Sequence, residues 1–310
     1  MRLAAMDVGT NSVLLLVAEV AAGGRLQPIE DRAVVSRLGQ GLVPGGRLRP
    51  EAADRTAATI AELAARARQL GAEEIRALGT MGLRLAADAD AFIERIARDC
   101  GVAIRVISGD EEARLTYRGA QHQLPAGSER LVVCDVGGGS TEVISGREAR
   151  IEQRRSLELG AVGLTERFLP HDPIAPAELA ALRHHLAAQL AAEFDPPARP
   201  FELVAVGGTA TSLAAMHHQL ERYDAERVHG TRLSRRWLAE QLAELARLDV
   251  PARARIRGLE PGRADIIPAG TAILLALLER LGAASLLISD RGLRHGLLLE
   301  AVRNLPALDC

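Results

Sequence analysis

DVGTNS at Asp7 to Ser12 and DVGGGS at Asp135 to Ser140 are two copies of one phrase, each placed between apolar runs with strand character. Gly9 and the run Gly137, Gly138, Gly139 carry no Cβ, so the backbone can take up positive φ and bring successive N–H groups close to an anion. Hydroxyls at Thr10, Ser12, Ser140 and Thr141, with Asn11 beside them, add donors suited to phosphate oxygens. Each phrase opens on an acid, Asp7 or Asp135, which would repel phosphate directly and so suggests Mg²⁺ between them. An ordinary hairpin with a tight glycine turn is the alternative for either phrase alone. Repetition of the Asp and the Ser around the glycine argues against it. Two such turns imply a nucleotide or polyphosphate held between two related half-molecules.

A chain of 310 residues exceeds one ordinary core and fits two domains, placed at 1–124 and 125–310, with a last helix that could pack back on the first. Hydrophobic residues make up 48% of the chain and aromatics only 2%, so the cores are built from Ala, Leu, Val and Ile. Base stacking on aromatic side chains is thereby disfavoured, and no nucleic-acid partner is expected. The longest charge-free apolar run, Ile266 to Leu278, contains Pro268 and is shorter than the roughly 20 residues of a membrane span, so no membrane partner is expected either. Asp7 interrupts what would be the apolar part of a secretory signal. Three cysteines, Cys100, Cys134 and Cys310, lack metal-ligand spacing and point to reduced thiols in a cytoplasm. All 38 basic residues are Arg. Without Lys there is no P-loop of the GxxxxGK[ST] kind and no Lys-dependent kinase or Schiff-base chemistry.

Apolar periodicity predicts strands at 2–6, 13–20, 33–38, 75–79 and 103–107, helices at 51–70 and 89–100, and a helix opening near Ser108. QLPAGSE, Gln123 to Glu129, reads as a linker. The pattern restarts with strands at 130–134, 142–145, 151–157 and 202–206 and helices at 177–192, 213–219, 235–247 and 269–281, then a strand at 285–289 and a final helix from SDRGLRHG. Alternating strand and helix is the signature of an α/β fold. A third glycine phrase, VGGTATS, follows the strand ending at Val206, so Gly207, Gly208 and Thr209 stand where a helix start favours an anion.

DVGTNS, TMGLR, ISGDEEARL, DVGGGSTE, LELGAVGLTERF, VGGTATS and SDRGLRHG occur in the order found in the exopolyphosphatase and guanosine pentaphosphate phosphatase family, and the chain resembles the short form of that family from Met6 to about Glu300. The resemblance implies two actin-like (ribonuclease H-like) ATPase domains around an interdomain cleft, and a homodimer. It differs at Gly163, where relatives commonly carry Arg, and at TMGLR in place of TSALR, with Arg84 retained.

Hydrolysis of a phosphoanhydride needs an oriented water, a charge clamp and a path for the leaving phosphate. Ser108 and Glu111 have capping-box spacing, which would turn Glu111 back on the helix start. Glu112, about 100° further round, is left as the candidate base, and the resemblance points to the same residue. A turn between Asp135 and Glu142 would bring both near bound phosphates; the resemblance associates these positions with metal and water, so Asp135 is read as a Mg²⁺ ligand and Glu142 as Mg²⁺ ligand or water-orienting group, with Asp7 a third metal candidate. Arg84 could clamp phosphate oxygens with its planar fork. Arg247, Arg253, Arg255, Arg257 and Arg263 could form an electropositive path, or a solvated loop. Adjacent histidines, such as His184 with His185, diverge on a helix and do not chelate. The resulting expectation is an exopolyphosphatase releasing orthophosphate from inorganic polyphosphate. A guanosine pentaphosphate 5′-phosphohydrolase, an actin-like kinase and a non-catalytic polyphosphate or nucleotide sensor are the alternatives.

Overall fold

The structure is a computed structural model that describes residues 1–21, 25–124, 130–148 and 150–303. The linker expected at Gln123–Glu129 lies outside the described residues from Pro125 onward. Two compact units divide the chain: Met1–His122 together with the stretch that begins at Arg291, and Gln123–Asp290.

The first unit runs β1 (Arg2–Val8), β2 (Ser12–Val20), β3 (Leu26–Val35), α1 (Pro50–Gln69), β4 (Glu74–Gly79), α2 (Met81–Leu85), α3 (Ala89–Cys100), β5 (Ile104–Val106) and α4 (Gly109–Gln121). Its sheet has the order β3-β2-β1-β4-β5. The first three strands form an antiparallel meander, and β4 and β5 continue it in parallel. Side chains alternate across β1. Ala4, Met6 and Val8 pack with Ile60 and Leu63 of α1 and Phe92 and Ile96 of α3. Leu3 and Ala5 pack on the opposite face with Leu115 of α4 and with Leu293, Leu297 and Leu298 further along the chain. By that parity Asp7 lies on the face that α4 covers.

The second unit runs β6 (Arg130–Val136), β7 (Thr141–Arg147), β8 (Arg150–Leu157), α5 (Ala161–Phe168), α6 (Pro176–Glu193), β9 (Glu202–Val206), α7 (Gly207–His217), α8 (Ala225–Val228), β10 (Arg232–Ser234), α9 (Arg235–Arg247), α10 (Val250–Arg253), α11 (Ile267–Leu281) and β11 (Ser285–Ile288). The sheet order β8-β7-β6-β9-β11 repeats that of the first unit, with β10 added antiparallel at the edge. The chain ends its described part in α12 (Leu293–Arg303), whose residues belong to the first unit. Two units of one topology are the duplicated actin-like, ribonuclease H-like α/β fold. α11 is buried on nearly all sides within the second core. No described helix is long and apolar enough to cross a membrane.

Several elements differ from the sequence expectation. β3 occupies Leu26–Val35 rather than 33–38, because it is a charged edge strand with mostly half-buried or exposed side chains and no clear apolar alternation. α7 begins at Gly207 rather than near Leu213, so the glycine phrase is itself helical. α5 and α2 were hidden by glycines of low helix propensity in AVGLTERF and MGLRL.

Candidate active site

In the first unit β1 delivers Asp7 to the mouth of a four-residue turn. Val8 pairs with Val13, and the turn is closed by the Gly9 amide donating to the Ser12 carbonyl at 3.0 Å. The second unit repeats the arrangement: Val136 pairs with Thr141 and the Gly137 amide donates to Ser140 O at 2.9 Å. Both phrases are therefore hairpin turns, the reading that repetition had argued against. A hairpin and a phosphate turn are compatible here because the tips keep their donors: the amides of Thr10 and Asn11, and of Gly138 and Gly139, donate to no described residue.

The turn carbonyls are used differently from the amides. Those of Thr10 and Asn11 accept from Gly39 at 2.8 Å and from Ser36 and Arg37 at 3.0 and 2.8 Å, which anchors the tip on the loop after β3. Those of Gly137 and Gly138 accept from Ala161 and Val162 at 3.0 and 2.9 Å, so the first amides of α5 are already occupied. The expected positive φ is absent from Gly9 and Gly137–Gly139. The turns are instead tightly packed: a Cβ on Gly9 would stand 3.2 Å from Ser12 O and one on Gly137 3.1 Å from Ser140 O, while a Cβ on the neighbouring Gly160 would clash at 2.4 Å from Gly139 Cα.

The side chains of the second turn face inward. Glu142 lies opposite Asp135 in register and is buried, with its Oε1 accepting from Ser140 Oγ at 2.7 Å and from Ser156 Oγ at 2.8 Å. The Thr141 hydroxyl, expected to face phosphate, is fully buried and donates to the Leu159 carbonyl at 2.5 Å. Of the glycines in the three phrases, Gly207 takes a left-handed φ, +86°, and a Cβ on it would come within 2.4 Å of Asp135 Oδ1. This leaves a bare backbone cradle beside the carboxylate at the start of α7, whose first amides have no intrahelical partner. Thr209 is buried, with its hydroxyl against Gly270 of α11.

Arg263 completes this group. Its guanidinium lies so close to Gly208 that a Cβ there would sit 2.1 Å from Nη1, and it is paired with Glu260 at 3.0 Å. The sequence offered Arg263 only as part of an arginine cluster forming an electropositive path or a solvated loop, whereas it is buried; the signal available was the phrase RADIIPAG ahead of a long apolar helix. Arg253, from the same cluster, is also buried and donates to Leu248 O, Ala264 O and Asp172, which removes it from any electropositive path. Arg257 remains exposed beside Glu221.

In the first unit Ser108 caps α4 by accepting from the Glu111 amide at 3.2 Å. Only that half of the capping box forms, because the Glu111 carboxylate is taken by Arg105 in two bonds of 2.8 Å. Glu112 turns to the other side and accepts from Arg84 Nη1 at 2.7 Å, with side-chain exposures of 14% for the acid and 23% for the arginine. Loss of water raises the Glu112 carboxyl above the ordinary carboxylate range, and the Arg84 charge and hydrogen bond oppose that shift.

Among the described residues no group of three or more His, Cys, Asp or Glu is disposed as a complete metal cage. Mg²⁺ does not require one, since it keeps several waters and takes one or two carboxylates alongside phosphate oxygens. Asp135, next to the Gly207 cradle, fits that demand; Glu142 Oε1 is committed to two hydroxyls.

Two units of like topology, each with a carboxylate one residue before the end of its first strand and a hairpin after it, define a protein of the actin-like class. The chain belongs to the Ppx/GppA phosphatase family, whose sequence model matches residues 16–305. It is 35% identical over 317 residues to Exopolyphosphatase 2 of Mycobacterium tuberculosis, spanning 96% of this chain and 98% of that one. Exopolyphosphatase 1 of Mycobacterium bovis is 32% identical over 97% of this chain and 88% of its own. The crystal structure of the Aquifex aeolicus Ppx/GppA family member superposes with a TM-score of 0.82 at 32% identity and covers 99% of each chain. An exopolyphosphatase from Cytophaga hutchinsonii superposes at 0.87 with 25% identity, again over 99% of each.

Proposed function

We propose that this protein is a Mg²⁺-dependent exopolyphosphatase, which hydrolyses the terminal phosphoanhydride of inorganic polyphosphate and releases orthophosphate. The observation that carries the reading is the duplicated hairpin tip, with the paired amides of Thr10 and Asn11 and of Gly138 and Gly139 left as donors beside Asp7 and Asp135. Repeated anionic groups suit repeated amide donors, and the names of the relatives at 35% and 32% identity supply the same substrate.

In this reading the two tips and the first amides of α7 at Gly207, Gly208 and Thr209 donate to phosphate oxygens, and Arg263 adds charge beside Gly208. Asp135 holds Mg²⁺, Glu142 orients water beside it, and Asp7 is a further ligand candidate. Bound Mg²⁺ supplies neutralisation of the phosphate charge. Glu112 accepts a proton from water as the water oxygen bonds to the terminal phosphorus. The phosphorus bond to the bridging oxygen breaks, leaving a chain one phosphate shorter and an orthophosphate. Glu112 burial suits the role, because a base works best when its pKa lies nearer the working pH.

The test is colorimetric phosphate release from long polyphosphate, short polyphosphate, guanosine pentaphosphate and ATP with Mg²⁺. Polyphosphate is expected to be cleaved fastest, and Glu112→Gln to abolish turnover while polyphosphate still binds. Turnover of Glu112→Gln at the wild-type rate would dismiss the base, and release from guanosine pentaphosphate alone would reassign the substrate. Sedimentation of the same samples reads the homodimer that the family resemblance suggests.

A further inference from the structure

Arg84 stands in α2 and sends both hydrogens of one nitrogen to the approach of α4. Nη1 donates to Glu112 Oε2 at 2.7 Å and to the carbonyl of Ile107 at 2.9 Å. The carbonyl bond fixes the guanidinium plane, since Ile107 is itself tied to the sheet through its amide, which donates to Gly79 O at 3.0 Å. Among the described residues Nε and Nη2 of Arg84 donate to nothing, and Oε1 of Glu112 accepts nothing. One rigid plane therefore presents a two-pronged donor edge on one side and holds a carboxylate with one oxygen vacant on the other.

The other charges around Glu112 are engaged elsewhere. On its own helix Glu111 is paired with Arg105 of β5, and Arg114 with Glu300 of α12; Arg118 also faces Glu300, and Asp110 lies two residues away at the helix start. Arg84 is the cation that bonds the Glu112 carboxylate. A surface arginine kept for phosphate alone would have no reason to give one nitrogen to the base and to a buried carbonyl.

We infer that Arg84 is the positioning residue of Glu112: its Nη1 end holds the carboxylate so that Oε1 faces the attacking water, while its Nε–Nη2 edge receives the phosphoryl oxygens. Base and phosphoryl group are then placed relative to each other by a single guanidinium. This rests on the reading of Glu112 as the base, and it separates two effects that a simple phosphate clamp would not. Lysine can supply the charge and a point donor to Glu112 and Ile107 but has no second edge. Glutamine removes the charge.

The experiment compares wild type, Arg84→Lys, Arg84→Gln and Glu112→Gln on polyphosphate across pH, with carboxyl carbon-13 NMR of Glu112 in the substrate-free proteins and circular dichroism to establish folding. Removing the cation raises the carboxyl pKa, so the acid limb of kcat/KM and the NMR titration of Arg84→Gln both move up by about one pH unit or more. Its kcat falls by about 100-fold, as expected for a displaced reacting group. Arg84→Lys keeps the acid limb near wild type and loses mainly in KM. If Arg84→Gln raises KM alone, with kcat, acid limb and NMR titration unchanged, Arg84 is a clamp only and the inference is overturned. Should Arg84→Gln fail to fold, the lysine variant decides: an acid limb displaced as far as the loss in KM would contradict the two-edged role. Wild-type turnover by Glu112→Gln would instead remove the premise, and it is read in a different protein.

Discussion

Glu112 exposes 14% of its side chain, and lost hydration outweighs the pull of Arg84, so the folded protein favours its protonated form more than the unfolded chain does. A carboxyl whose folded pKa is raised contributes stability that is fully present below its unfolded pKa and is lost as pH rises through the folded one. Glu112→Gln keeps an oxygen for Arg84 Nη1 and never ionises. Its melting temperature is therefore expected to exceed that of wild type at pH 7 to 8, with the gap closing as the pH is lowered below the ordinary carboxylate range; calorimetry across pH reads it, and an equal gap at all pH values would contradict the burial argument. The divergence of Glu112 from Glu111 was legible in the sequence because its neighbours fixed it: Ser108 set the helix start, and adjacent residues had to point apart on the helix. Ser156 was not legible. It meets Glu142 only because β7 and β8 pair in the register Glu142 with Ser156, across 14 positions of sequence. The same holds for Arg263, which a single 3₁₀ turn at Pro261–Arg263 sets against Gly208.

α4 and α12 show the opposite case, in which a glycine in plain sight concealed its purpose. SDRGLRHG was recognisable as a phrase, yet Gly296 matters because a Cβ there would stand 1.9 Å from the Leu115 carbonyl, and Gly119 because its Cβ would stand 2.0 Å from Gly292 O. The helices touch backbone to backbone, and Arg114 pairs with Glu300 beside the contact. α4 carries Glu112, so this crossing sets where the candidate base lies. Gly163 in α5 is the control: a Cβ there meets nothing within 4 Å and φ is not left-handed. Gly296→Ala is expected to cost about 1–3 kcal/mol or more through overpacking, whereas Gly163→Ala should gain about 0.5–1 kcal/mol from helix propensity. Urea denaturation of both variants compares them directly, and a neutral Gly296→Ala would show that the crossing is not tight. Long helices such as α1, α3 and α9 were legible from periodicity alone; β3 was not, since an edge strand with charges on both faces carries no period of two.

At the level of the whole chain, the duplicated phrase announced two like sheets, and the two sheet orders agree strand for strand apart from β10. What the phrase could not announce is how unequally the two units depend on distant sequence. The larger core, built on Val132, Leu186, Leu213, Leu274 and Ile288, is drawn from residues between 132 and 288. One face of the first sheet, by contrast, has Leu3, Ala5, Leu16, Ala18 and Leu78 covered by Leu293, Leu297, Leu298 and Ala301 of α12, which begins 172 residues after α4 ends at Gln121. Arg294 adds an ion pair to Asp31 of β3. Each leucine so covered contributes about 1.5–3 kcal/mol of burial, and a domain's net stability is only about 5–15 kcal/mol, so removing α12 removes a large share of it. Residues 123–290 made alone should unfold cooperatively in urea, while residues 1–122 alone should bind hydrophobic dye and exchange amides fast. Joining 291–310 to 1–122 through a short flexible linker should restore protection in β1 and β2. Cooperative folding of 1–122 without the helix would mean that the apolar face of its sheet finds another cover.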